Sequence, residues 1–166
     1  MKNWWRKLFC LLCGHRARRV RRAEDECLEA GVPAMRSISA LMLLLSNRFT
    51  PTSAMIRREL SFRFADDRRY MEDHLLWLQI AFADCPVAHL DAELAFQFKS
   101  PYGEGGLASQ MWQMQKGLLS NYWFFFRRGA IGLPLTLALC AWSMLKFARR
   151  ILYSAIPLLR ARVDSR

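Results

Sequence analysis

Acidic side chains are in short supply in this chain. Its 166 residues hold 14 Asp and Glu against 25 Lys and Arg, a formal net charge of 25 − 14 = +11. The shortage makes an anionic partner the natural complement: a membrane surface, a nucleic acid or a phosphorylated small molecule. No recognised nucleic-acid motif is present, and the basic residues are scattered among apolar segments, so no nucleic-acid partner is expected. Cysteine numbers five, an odd count without even spacing. That excludes a secreted disulfide scaffold and points to a reducing compartment. Long apolar runs are also missing. The first 30 residues carry an apolar stretch too short to span a bilayer, and most of its arginines follow it, which is the wrong order for a signal peptide. The charge-free run 129–145 has 17 residues, the lower edge of a span, and contains Pro134 and two glycines.

What is abundant is apolar and aromatic. Hydrophobic residues make up 53% of the chain, with six Trp and eleven Phe. Together with the arginines they favour a membrane surface over the other anionic partners. Cys10, Cys13 and His15 resemble a metal or haem pattern, but Gly14 separates Cys13 from His15, and Cys27 is the only nearby further ligand. We read these cysteines as apolar positions on a helix and assign no metal site.

Three blocks follow from the punctuation. Residues 1–33 form a basic, apolar N-terminal arm, either an interfacial helix or largely unstructured, ending at Gly31-Val32-Pro33. Residues 34–108 read as a folded α/β block. In it, Ile38 to Leu45 is a short helix, Thr52 to Arg58 a strand opened by Pro51, and Leu75 to Phe82 a helix. Val87 to Phe98 is a strand, or a hairpin turning near Asp91. Residues 109–166 are helical, basic and apolar. Gln110 to Arg128 carries a Met and aromatic stripe that reads as packing. The run 129–145 either dips into or lies on one leaflet, or is a buried helix.

The chemistry concentrates at Arg68-Arg69-Tyr70-Met71-Glu72-Asp73-His74-Leu75. Two carboxylates stand at the start of an apolar helix, where the dipole and free backbone N–H groups favour negative charge. Aspartate as a residue type is ionised at neutral pH, as a general base must be. A capped helix with an acidic first turn is the plainer alternative. Arg68 and Arg69 hold the carboxylate charged, or contact a diphosphate, or form a solvated basic turn. Trp77 is either an aromatic wall for a sugar ring or core. His74 is given no role.

From Ser46 to Arg150 the chain resembles the C-terminal half of a family 2 glycosyltransferase. The resemblance rests on stretches in the family's order: Asn47-Arg48-Phe49-Thr50-Pro51-Thr52-Ser53-Ala54-Met55-Ile56-Arg57-Arg58-Glu59-Leu60, Phe62-Arg63-Phe64, Glu72-Asp73 before Leu75-Leu76-Trp77-Leu78-Gln79-Ile80-Ala81, Val87 to Lys99, and Pro101-Tyr102-Gly103-Glu104-Gly105-Gly106-Leu107. It implies a GT-A type fold, here an α+β remnant with a helix-rich, membrane-associated C-terminal segment. It implies Asp73 as the catalytic base, with Glu72 orienting the acceptor or tuning the charge. Arg68, Arg69, Trp77, Tyr102, Gly103, Gly105 and Gly106 become substrate-binding candidates. The donor would be a nucleotide-diphosphate sugar, the acceptor a glycan or lipid-linked cell-envelope saccharide, and the cofactor a divalent metal, Mg or Mn.

The nucleotide-binding half and its Asp-x-Asp pair do not appear upstream of Thr50. Glu24-Asp25-Glu26 lies in a charged helical run, Asp91-Ala92-Glu93 follows the Glu72-Asp73 pair in the wrong order, and Asp66-Asp67 is too close to that pair. No metal ligand is therefore assignable. The chain reads as an acceptor-side half, inactive alone: a truncated product, a pseudoenzyme, or one piece of a split enzyme whose partner polypeptide supplies the rest. No Gln-x-x-Arg-Trp motif occurs near Gln110 or Gln113, which favours single sugar transfer over polymer synthesis. The expected location is peripheral, at the cytoplasmic face of a membrane. A non-catalytic basic protein that binds membrane surfaces is the alternative.

Overall fold

Leu12 opens a strand rather than continuing a helix. The computed structural model describes residues 12–19, 34–97 and 107–163. They form β1 (Leu12–Arg19), β2 (Met35–Ser37), α1 (Ala40–Leu45), a 3-10 turn (Pro51–Ser53), β3 (Ala54–Ile56), α2 (Glu72–Phe82), β4 (Val87–Gln97), α3 (Leu107–Arg127) and α4 (Leu133–Val163). The architecture is mixed α/β, with a four-stranded sheet in the order β2-β4-β1-β3. The chain divides into two units, Met1–Gln110 and Met111–Arg166.

In the first unit β1 and β4 run parallel at the centre, and β2 and β3 pair antiparallel at the edges. Each edge strand has only three residues, which limits the backbone offered to other chains. The N-terminal arm expected as an interfacial helix or unstructured segment thus contributes an inner strand, and Cys13 sits on that strand, not on a helix. The reason is non-local. Val87 to Gln97 supplies the ladder hydrogen bonds that β1 needs, and a charged strand is tolerable because Arg16 ion-pairs with Asp91 of β4. The hairpin alternative for Val87 to Phe98 is also corrected, since β4 runs through Asp91 as one strand. Register shifts between His15 and Arg16 and between Arg16 and Ala17 absorb the broken alternation as bulges on β4.

The strand expected from Thr52 curls at first into the 3-10 turn, with Thr50 and Ser53 capping each other, so β3 begins only at Ala54. α1 is capped by Ser39, whose hydroxyl accepts from the Met42 N–H, and turns Leu43 and Leu44 into the core. α2 buries five successive residues, His74 to Leu78. A helix apolar on nearly every side belongs inside a core. Phe49 completes that core between Trp77, edge-on at 6.2 Å, and His89, stacked at 6.0 Å. Its ring lies where a side chain on Gly14 would be, so β1 needs glycine at that point.

The second unit is a hairpin of α3 and α4. Trp112 packs on Phe147 at 5.5 Å, and Gln115 Nε2 donates to Ser143 Oγ at 2.8 Å. α3 ends at Gly129, which takes a left-handed conformation (φ 70°). The Gly129 and Ala130 N–H groups close back on the Phe126 and Phe125 carbonyls at 2.9 and 3.0 Å, the pairing of a Schellman motif. Pro134 occupies the second position of α4, where no hydrogen bond is lost. The run 129–145 is therefore split, its first residues forming the turn. Among the described residues no helix is long and apolar enough to cross a membrane.

Candidate functional site

Glu72 and Asp73 form the first turn of α2, three residues before the apolar pattern begins. Met71 precedes them in a left-handed conformation (φ 59°) and bends the chain into the helix. Both carboxylates are half-buried. At this position they meet the positive end of the helix dipole.

Asp73 has a partner that sequence reasoning did not assign. Asn47 lies just beyond α1, and its Nδ2 donates to Asp73 Oδ2 at 3.3 Å. The orientation of the Asn47 amide is determined by its other end, because Oδ1 accepts the Phe49 N–H at 3.2 Å. The NH₂ group is then the end that faces the carboxylate. The two residues keep their relation because α1 and α2 are tied together. Buried His74 donates from Nε2 to the Leu43 carbonyl at 2.9 Å. One carboxylate oxygen is thus held while the side chain stays partly open to solvent, an arrangement that can accept a proton from a bound hydroxyl. Asn47 begins the Asn47-Arg48-Phe49-Thr50 stretch, but nothing in the sequence placed it against a residue 26 positions away.

The other predicted residues divide. Arg68 is half-buried and Arg69 exposed on the segment leading into α2. The group seen to hold Asp73 is the Asn47 amide. Trp77 is corrected from sugar platform to core, because it is only 1% exposed. Phe49 and Phe64 cover it edge-on at 6.2 and 6.0 Å. The exposed ring beside it is Phe64, at 47%. Arg63 presents that ring by bonding back to the Leu60 and Phe62 carbonyls. Tyr102, Gly103, Gly105 and Gly106 lie outside the described residues, as do Cys10, Cys27 and Glu24 to Glu26.

Asp91 is engaged by Arg16 and, at 3.8 Å, by Arg36. It neutralises the basic strand and is not free to ligate. His15 donates from Nδ1 to the Arg16 carbonyl at 2.9 Å. Among the described residues no three His, Cys, Asp or Glu side chains converge. The described residues therefore offer no three-ligand set for the divalent metal that the resemblance implies. His89 lies beside this cluster on β4. Its pKa is lowered from 6.5, first by burial and then by Arg16, with smaller contributions from His15 and Arg48, while Asp91 opposes the shift.

Comparison with protein-family models, with curated proteins and with solved structures gives no match for this chain.

Proposed function

We propose that this chain is the acceptor-side half of an inverting family 2 glycosyltransferase, with Asp73 as its general base. The observation that supports the reading is the Asp73 carboxylate, half-buried in the first turn of α2 with Oδ2 held by Asn47. Oδ1 is then left to take the proton of an acceptor hydroxyl. As that O–H bond breaks, the acceptor oxygen bonds to the anomeric carbon of the donor. The bond from that carbon to the diphosphate breaks on the opposite face, and the configuration inverts. Glu72, adjacent on the same turn, orients the acceptor. Phe64, exposed beside the Trp77 ring, offers a sugar ring an aromatic surface.

In this reading the mixed sheet is the acceptor side of a GT-A type fold. The diphosphate and its metal are not assigned to any described residue in this reading. The acceptor is a glycan or a lipid-linked saccharide.

The test is saccharide binding read at the helix. Isotope-labelled protein is titrated with simple saccharides and with lipid-linked saccharides, following the side-chain signals of Asn47 and Asp73. Saturable shifts centred on residues 47 and 72–73, retained in Asp73→Asn, are expected. Shifts confined to other parts of the chain, or none with any saccharide, would reject the assignment.

A further inference from the structure

The α3–α4 hairpin departs from the pattern of a helix pair bathed in water. In water the seam between two helices is apolar and the outer faces are polar. Here Gln115, Asn121, Thr136 and Ser143 are buried among apolar residues such as Tyr122 and Leu139. Leu137, Trp142, Leu145 and Leu152 are exposed, Trp142 at 48% and Leu145 at 63%. Polar side chains joining helices, with large apolar ones facing outwards, is the pattern of helices packed in lipid.

The charge on this surface has one sign. Residues 111–153 contain no Asp or Glu, and their Lys and Arg are Lys116, Arg127, Arg128, Lys146, Arg149 and Arg150, so the formal charge is 6 − 0 = +6. Four of these cations lie over an aromatic ring one turn earlier on the same helix. Lys116 is 5.6 Å from the Trp112 ring, Arg127 6.0 Å from Trp123, Arg128 4.3 Å from Phe124 and Lys146 5.8 Å from Trp142. Trp112 and Trp123 stand about three turns apart on one side of α3. Paired aromatic and basic side chains match the headgroup layer, where a ring sits at the apolar boundary and a cation meets phosphate.

We infer that the α3–α4 hairpin is a docking surface for an anionic lipid bilayer. Trp123, Trp142, Leu145 and Leu152 enter the boundary layer, and Arg127, Arg128, Lys146 and Arg149 meet the lipid phosphates. Neither helix is long and apolar enough to cross, so the hairpin engages the surface of one leaflet. A second copy of this chain is a poor occupant, because the face would meet its own positive charge. RNA would answer the charge but leave the apolar side chains in water. The inference is independent of the sugar-transfer reading, which rests on Asp73 in the other unit.

The experiment uses the full chain and vesicles of phosphatidylcholine alone or with about one-third phosphatidylglycerol. Co-sedimentation with the anionic vesicles only is expected, weakening as salt is raised from about 0.05 M to about 0.5 M. Trp142→Ser and Leu145→Ser alter exposed positions, so far-UV circular dichroism should not change. Each should lower partitioning by about tenfold. Brominated lipid should quench tryptophan fluorescence in wild type, and less so in Trp142→Phe. Absence of partitioning would overturn the inference. So would binding that both serine variants leave intact, or a lipid-free dimer that they dissociate. Preferential binding to single-stranded RNA over the anionic vesicles would also overturn it.

Discussion

Replacing Gly14 by alanine should destabilise the sheet unit by forcing a methyl group into the ring of Phe49. A Cβ at this position overlaps two carbons of that ring. Phe49 is 1% exposed and has no room to swing, with Trp77 on its edge at 6.2 Å and His89 along its face at 6.0 Å. The backbone is equally constrained, because Gly14 pairs with Ala54 on one side and His89 on the other. Overpacking a core usually costs about 1–3 kcal/mol, and pinning on both sides argues for the upper end. The better strand-forming character of alanine returns at most about 1 kcal/mol, leaving a net loss of roughly 2 kcal/mol. Phe49→Ala alone should cost about 3–5 kcal/mol through the cavity it leaves. In the double variant the new methyl enters that cavity. The double variant should therefore be no less stable than Phe49→Ala, a coupling of about 2 kcal/mol. Urea denaturation of the four proteins, with hydrogen exchange of the β1 amides locating the loss, measures this cycle. Equal midpoints for wild type and Gly14→Ala, or simple additivity in the double variant, would refute the reasoning.

Three further outcomes are expected. Protonation of His89 is disfavoured in the fold, its pKa being lowered first by burial and then by Arg16. Its stabilising contribution is therefore complete above the unfolded value of 6.5 and declines as the pH falls below it; His89→Gln should flatten that part of the stability profile in urea melts. Asp91→Asn should lower the titration of His89 further, since Asp91 alone among its named neighbours raises it. Proton NMR of the imidazole reads this, while stability changes by less than about 1 kcal/mol because the ion pairs are partly exposed. Asn47→Ala should shift the Asp73 carboxylate resonance and, because it also removes the acceptor of the part-buried Phe49 N–H, lower stability by about 1 kcal/mol; an unmoved resonance would remove Asn47 from the site.

The elements that were legible in the sequence are those whose cause is local. α3 follows from its own apolar spacing, and α2 from acidic residues giving way to an apolar run, a switch that places Glu72 and Asp73 in the first turn. What was not legible depends on partners distant in the chain. β1 carries four basic side chains in eight residues, counting His15 among them, and reads as a surface segment until β4 supplies both its ladder and the Asp91 counter-charge. Gly14 reads as an interruption between Cys13 and His15 until Phe49 is seen to occupy the space above it. The Asn47–Asp73 bond has the same character, joining the end of α1 to the start of α2 across a segment with no common periodicity. Trp77 shows the converse. A tryptophan five residues into an apolar helix suits a sugar wall and a core equally by spacing. The rings of Phe49 and Phe64, the second brought over it by the turn at Arg63, place Trp77 inside and leave Phe64 as the aromatic at the surface.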